Sequence, residues 1–184
     1  ALVAPVESGD IVWQQLREVP TDAVPGDGYN SADAVVVGPD DTIYVLDGFV
    51  GVHVFDADGT EQGLIVPEDM FGILSALAVD TAGNLWTVDF TGTLVQFDAS
   101  GAVLSSVELG DTVELAFFGV ELAIGPEGNL YLLNPHDTDE QAVGEILVYS
   151  PGGELLNRFA VGSDEYFYEA SIAFGPDGNL YATE

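Results

Sequence analysis

The chain of 184 residues contains no cysteine and no lysine, and its only two strong cations are Arg17 and Arg158. The absence of cysteine excludes disulfides, thiolate metal sites and thiol nucleophiles. Against the two arginines stand 32 aspartates and glutamates, which give a formal net charge of −30 at pH 7. Phosphate groups and anionic membrane surfaces are bound by clustered cations, so this charge balance argues against nucleic acid and anionic lipid as partners.

Long hydrophobic runs are also missing, since no apolar stretch approaches the ~18 residues of a membrane span. We therefore expect no membrane insertion. Several catalytic signatures are absent too: the sequence holds no GxSxG, no P-loop, no GxGxxG after a strand and no HExxH. A chain this acidic is often disordered, but 47% hydrophobic residues and a mean hydropathy of +0.26 predict a folded protein.

What the sequence does contain is an internal repeat. Four segments align: VVVGPDDTIYVLD from Val35, LAVDTAGNLWTVD from Leu77, LAIGPEGNLYLLN from Leu122 and IAFGPDGNLYATE from Ile172. Their anchor residues are separated by 42, 45 and 50 positions: Gly38, Asp80, Gly125 and Gly175. Each segment is an apolar run, a Pro/Asp/Gly/Asn turn and a second run that carries an aromatic residue, which is typical of a β-hairpin.

A second turn motif follows in the first three repeats, as FDADG at Phe55, FDASG at Phe97 and YSPGG at Tyr149. Each motif ends one alternating strand and precedes another. Every repeat therefore predicts four short antiparallel strands, which is the blade of a β-propeller. The fold class is all-β, and we expect Tyr44, Trp86, Tyr131 and Tyr181 to pack between blades.

The repeats predict the domain organisation. Residues 1–33 form an N-terminal segment with a lone outer strand at about 10–19 and a linker, and 34–184 form the blades. The blade boundaries fall at about 34–75, 76–119, 120–168 and 169–184, the last being partial. Three full repeats and half of a fourth predict a piece of a longer, six-bladed propeller or a ring that a neighbouring chain completes. The alternative is a four-bladed ring in which the N-terminal strand joins the last blade.

From Ala34 to Glu184, the pattern of Gly or Asp, then Gly-Asn-Leu-Tyr/Trp and Asp, resembles the NHL-repeat propellers and the related gluconolactonase-like propellers. The resemblance implies a divalent cation at the mouth of the central channel, held just before the innermost strands. The corresponding positions are Asp33, Ser75, Val120 and Ala170. Asp33 alone is a clear ligand, while Glu121 and Glu169 each lie one residue away.

Two further groups of residues are candidates for a site. Asp47, Asp89 and Asn134 share one repeat position after the second strand and could form a ring near one face of the channel. In the alternative, each accepts backbone N–H groups in its own turn. The third repeat carries an insertion, Asn134–Glu145, which we interpret as a loop. A calcium site is a candidate there, with the ligands Asp137, Asp139, Glu140 and His136; a solvated loop is the alternative.

These features favour a non-catalytic binding or assembly module of an acidic, salt-adapted, extracellular or cell-surface protein. Its expected partner is a protein or a glycan, or a second copy that pairs through blade edges. Calcium is the cofactor that these features suggest, whereas a zinc site at His136 would need further histidine or cysteine ligands and the sequence offers only His53 elsewhere. The alternative is a gluconolactonase-like hydrolase, with a divalent metal held by Asp33 and by Glu121 or Glu169. We interpret His53, in the alternating strand VHVF, as a residue of the strand surface rather than a base.

Overall fold

A computed structural model describes residues 32–66, 73–109, 120–137, 142–161 and 171–183, and every regular element in these ranges is a β-strand. The predicted strand at about residues 10–19 lies outside the described residues. Within them there is no helix with the length and apolarity needed to cross a membrane.

Within the described residues, fourteen strands form four antiparallel sheets, and each sheet takes its strands in chain order. Blade 1 contains β1 (Ala34–Val37), β2 (Ile43–Asp47), β3 (Gly51–Phe55) and β4 (Glu61–Ile65). Blade 2 contains β5 (Leu74–Val79), β6 (Leu85–Asp89), β7 (Thr93–Phe97) and β8 (Val103–Glu108). Blade 3 contains β9 (Glu121–Ile124), β10 (Leu130–Asp137), β11 (Ala142–Tyr149) and β12 (Leu155–Val161). Blade 4 is described as two strands, β13 (Ile172–Phe174) and β14 (Leu180–Ala182). The prediction of four-stranded blades is confirmed.

The repeated turn between the first two strands of each blade explains its residue pattern. In the turn of blade 3, the N–H of Gly125 donates to the Asn129 carbonyl at 2.8 Å, and Gly128 has a φ of 86°. In blade 1 the position equivalent to Gly128 is Asp41, with a φ of 65°. Aspartate tolerates this left-handed conformation better than most side chains, so the turn keeps its geometry without a glycine.

Three apolar clusters lie between consecutive blades and form the core. Tyr44, Leu46 and Val52 of blade 1 pack against blade 2 residues such as Leu77 and Phe97. Trp86 lies in the next cluster, between blades 2 and 3, and Tyr131 packs at the edge of the third, between blades 3 and 4. The prediction of packing between blades is therefore confirmed for these three aromatics. Tyr181 differs, since 56% of it is exposed on the described part of blade 4.

The described part of the insertion in the third repeat, residues 134–137 and 142–145, is strand rather than the loop that the sequence suggested, and residues 138–141 lie outside the described residues. Strands β10 and β11 continue past the end of the neighbouring strand β9, and their pairing extends from Asn134 opposite Glu145 to Asp137 opposite Ala142. The extra residues thus lengthen a β-hairpin.

Candidate functional site: the central cavity

The first strands of the four blades, β1, β5, β9 and β13, line one cavity of about 860 Å³. They contact each other in chain order, so they are the innermost strands. The wall is mainly aliphatic, with Val35 and Val37 on β1, Ala78 on β5 and Leu122 on β9. Val35 and Val37 are 65% and 58% exposed, which makes this an apolar surface that is accessible.

Polar groups lie at one end of this cavity, where the first strands begin. Asp33 Oδ2 accepts a hydrogen bond from the Gly48 N–H at 2.8 Å. Glu121 Oε2 accepts one from Ser171 Oγ at 2.9 Å, which links blades 3 and 4. Asp33 and Glu121 are the two acids among the described residues that line the cavity. Each of these hydrogen bonds involves one oxygen of its carboxylate. The mouth of the apolar cavity is therefore lined by two acidic side chains.

The positions implied by the family resemblance are only partly brought together. Asp33, Val120 and Glu121 line the cavity, while Ser75 is not part of its described wall. Ser75 Oγ is buried without a hydrogen-bond partner. Glu169 and Ala170 lie outside the described residues. Among the residues that the structure describes, no group of three or more His, Cys, Asp or Glu side chains is placed to hold a metal, so calcium at this mouth stays a prediction.

The candidate ring residues Asp47, Asp89 and Asn134 are all buried. Asp47 and Asp89 are the last residues of β2 and β6, whereas Asn134 lies within β10. The ends of β2 and β6 lie on the same side of the blades as Asp33. In blade 1 the Asp33 N–H donates a hydrogen bond to the Leu46 carbonyl, next to Asp47. In blade 2 the first residue of β5, Leu74, pairs with Asp89. The first two accept backbone N–H groups from their own turns: Asp47 Oδ1 from Phe49 at 3.1 Å, and Asp89 Oδ1 from Thr91 at 2.9 Å. Both aspartates therefore accept backbone N–H groups of their own turns, as the alternative interpretation predicted. None of the three candidate ring residues lines the described cavity.

The calcium candidates of the third repeat are placed only in part. His136 and Asp137 are residues of β10, paired with Val143 and Ala142. Asp139 and Glu140 lie outside the described residues, so this site also stays a prediction.

A second cavity of about 770 Å³ lies at the opposite end of the blades, among the turns that join first and second strands. Asp80 and Trp86 line it. Burial by itself would raise the pKa of Asp80, but hydrogen bonds from the Asn84 side chain and backbone and from the Ala82 N–H lower it overall. In the equivalent turn of blade 3, the hydrogen bond from Tyr131 to Glu127, 2.6 Å long, raises the pKa of Tyr131 to about 12.

One buried residue was misjudged from the sequence. His53 is 1% exposed, so the interpretation as a residue of the strand surface was wrong. Its Nδ1 lies 3.2 Å from Glu61 Oε1, and its Nε2 has no hydrogen-bond partner. An alignment of the third strands would have indicated that His53 is buried. By strand register, His53 occupies the position of Val95 in blade 2 and Leu147 in blade 3.

Comparison with solved structures identifies the fold. A catalytically inactive histidine-to-alanine variant of virginiamycin B lyase from Staphylococcus aureus, with quinupristin, superposes with a TM-score of 0.63 at 12% identity, over 88% of this chain and 51% of that one. The WD40 β-propeller domain of Doa1 gives 0.53 at 14% identity, over 78% and 43%. Apo AztD from Citrobacter koseri gives 0.50 at 16% identity, over 71% and 35%.

These neighbours, together with the blade-like sheets, show that the chain is a β-propeller. It spans about half or less of the length of each of these structures. No protein-family model matches the sequence, and no curated protein matches it.

Proposed function

We propose that this propeller is a non-catalytic binding module, of the NHL type, in an acidic, salt-adapted, extracellular or cell-surface protein. The observation that carries the proposal is the accessible aliphatic wall of the central cavity, formed by residues such as Val35 and Val37. Exposed apolar surface of this kind is a feature of sites that bind other molecules. A protein segment with apolar side chains fits that wall, and a basic group on it would complement Asp33 and Glu121 at the mouth.

The rest of the molecule supports this proposal. The net charge of −30 suits a setting in which salt or divalent cations screen carboxylates, as outside the cell in brine or seawater. In blades 1 to 3 all four strands are paired, so each innermost strand of the cavity wall in those blades is part of a complete sheet. The neighbour from Doa1 has a WD40-type propeller, a fold class that we take as a precedent for protein binding.

The test is selection of a phage-displayed random peptide library on the immobilised protein in molar sodium chloride. We expect apolar peptides whose binding is lost when Val37→Asp places a charge in the cavity wall. Val103→Asp is the matched control, because Val103 is 37% exposed on the outer strand β8, away from the cavity. Peptides that bind both variants as well as the unmodified protein would show that the cavity is not the binding surface.

The second candidate is a metal-dependent hydrolase. The observation that favours it is the placement of Asp33 and Glu121 at the same cavity mouth. In addition, one of the structurally similar proteins, virginiamycin B lyase, is an enzyme. These two carboxylates would hold the cation, which would supply Lewis-acid polarisation of a lactone carbonyl. The assay is a pH-drop measurement on simple lactones with added calcium. Turnover that Asp33→Asn abolishes would replace the binding proposal, and no turnover would leave it in place.

A further inference from the structure

The third strands of the blades share a core position that is apolar in blades 2 and 3. Val95 and Leu147 occupy it, and each is packed into the cluster that its blade forms with the preceding blade. In blade 1 the same position is His53. A polar ring in an apolar core position is destabilising unless its nitrogens are bound, so this histidine requires an explanation other than packing.

Only one nitrogen of the His53 ring has a partner. Nδ1 lies 3.2 Å from Glu61 Oε1, and a carboxylate accepts rather than donates, so Nδ1 carries the proton in the neutral ring. Nε2 then presents its lone pair from a side chain that is 2% exposed, and it has no hydrogen-bond partner. An imidazole held by a carboxylate at one nitrogen and open at the other has the arrangement of a metal-binding histidine.

A second unpartnered atom lies on the same face of blade 1. Strand β2 alternates, with Tyr44 and Leu46 packed on blade 2, so Val45 and Asp47 are directed to the opposite face. Val45 lies directly opposite His53, and Asp47 is the next residue on that face. Such diagonal neighbours have Cα atoms roughly 7–8 Å apart, within reach of each other's side chains. Asp47 is 3% exposed, and its Oδ2 is buried without a hydrogen-bond partner.

We propose that His53 Nε2 and Asp47 Oδ2 bind a divalent transition-metal ion on the face of blade 1 directed away from blade 2. An imidazole nitrogen and a carboxylate oxygen suit zinc and its neighbours, whereas calcium takes oxygen ligands. Glu61 holds the imidazole and is a positioning residue. The described residues gather no third ligand. Neither His53 nor Asp47 lines the described cavity, and the proposal does not depend on the proposed function.

The test is isothermal titration of the full chain with zinc chloride, in molar sodium chloride with millimolar calcium to occupy surface carboxylates. We expect one zinc per chain and a shift of the His53 ring signals in NMR spectra. Asp47→Asn, which keeps the Oδ1 acceptor for the Phe49 N–H, should weaken binding at least tenfold. Glu61→Gln should weaken it about tenfold, the lower end of the effect of removing an orienting partner.

His53→Val is the decisive variant, because it installs the residue that blade 2 has at this position. It should abolish zinc binding while raising the midpoint of thermal unfolding of the metal-free protein. The matched control is His136→Ala, which removes the only other histidine. Equal zinc affinity in His53→Val and the unmodified chain would overturn the proposal. Loss of binding in His136→Ala alone would also overturn it and would locate the zinc at the hairpin of β10 and β11.

Discussion

Gly48 lies in the turn after β2, where blade 1 contacts Leu74 of blade 2. Its carbonyl accepts the Leu74 N–H at 2.9 Å, and its own N–H donates to Asp33. A Cβ at this position would overlap the Leu74 carbonyl oxygen and would lie 3.0 Å from Asp33 Oδ2. Backbone cannot move aside as a flexible side chain can, so only glycine fits here.

We therefore predict that Gly48→Ala lowers the free energy of unfolding by about 1–3 kcal/mol, the usual range for overpacking. Gly152→Ala is the control, because its added Cβ would meet its nearest atom, Ser150 Oγ, at 3.7 Å. That change should stay within about 0.5 kcal/mol. Urea unfolding in molar salt measures both, and equal effects would show that the contact with Leu74 is unimportant.

Asp80 makes part of the stability dependent on pH. Its pKa is lowered from the ordinary value of 3.8, with burial opposed by hydrogen bonds from Asn84 and Ala82. A carboxylate whose pKa is lower in the folded state stabilises the fold above the unfolded pKa. This contribution is lost as the pH falls below 3.8 and through the folded pKa.

Asp80→Asn should consequently cost about 1 kcal/mol near pH 6, the size of one net hydrogen bond at a partly exposed group. The difference between the two proteins should shrink as the pH falls below 4. Asp41→Asn is a control on an exposed acid, since asparagine also tolerates the φ of 65° there. Chemical unfolding across this pH range measures the effect, and a difference that is constant with pH would contradict it.

At the scale of strands, β13 is held to its neighbour by the hydrogen bond from Ser171 Oγ to Glu121 Oε2. Ser171→Ala should increase amide hydrogen exchange in Ile172–Phe174 by roughly tenfold or less, because one net hydrogen bond contributes about 1 kcal/mol. Exchange in Ala34–Val37 of blade 1 should stay unchanged. A uniform rise across both strands would instead indicate global destabilisation.

The strands themselves were predictable because the repeat shows each turn and strand several times. Strand ends at Phe55, Phe97 and Tyr149 were all located from the turn motifs. The longer hairpin of blade 3 was not predicted. Its acidic residues and proline are typical of a loop, and the composition does not show that the two segments pair with each other.

The candidate site was less predictable than the strands. Asp33 at the cavity mouth followed from the family resemblance, whereas the link from Ser171 to Glu121 joins residues 50 positions apart. His53 was misjudged because the alternation of VHVF does not tell which face of a strand is covered. The covered face is defined by the packing of the blades, in which the equivalent residues Val95 and Leu147 lie in the apolar clusters between blades.

At the scale of the whole molecule, we expect the net charge of −30 to make the stability of the fold depend on salt. Repulsion between carboxylates opposes the compact state, and molar salt shortens the Debye length from about 10 Å to about 3 Å. We expect the midpoint of thermal unfolding to rise on the order of 10 °C between 0.1 and 1 M sodium chloride, equivalent to about 3 kcal/mol. Choline chloride should act similarly if screening is the cause. A midpoint that does not respond to salt would contradict salt adaptation.

Each blade consists of strands that follow one another along the chain. The pairing of neighbouring strands therefore closes short segments of polypeptide, which carries a small entropic cost. A blade can acquire its pairing as soon as its last strand has left the ribosome, and the next blade then condenses on an apolar face that is already formed. The order in which the chain is synthesised is thus also an order in which it can fold.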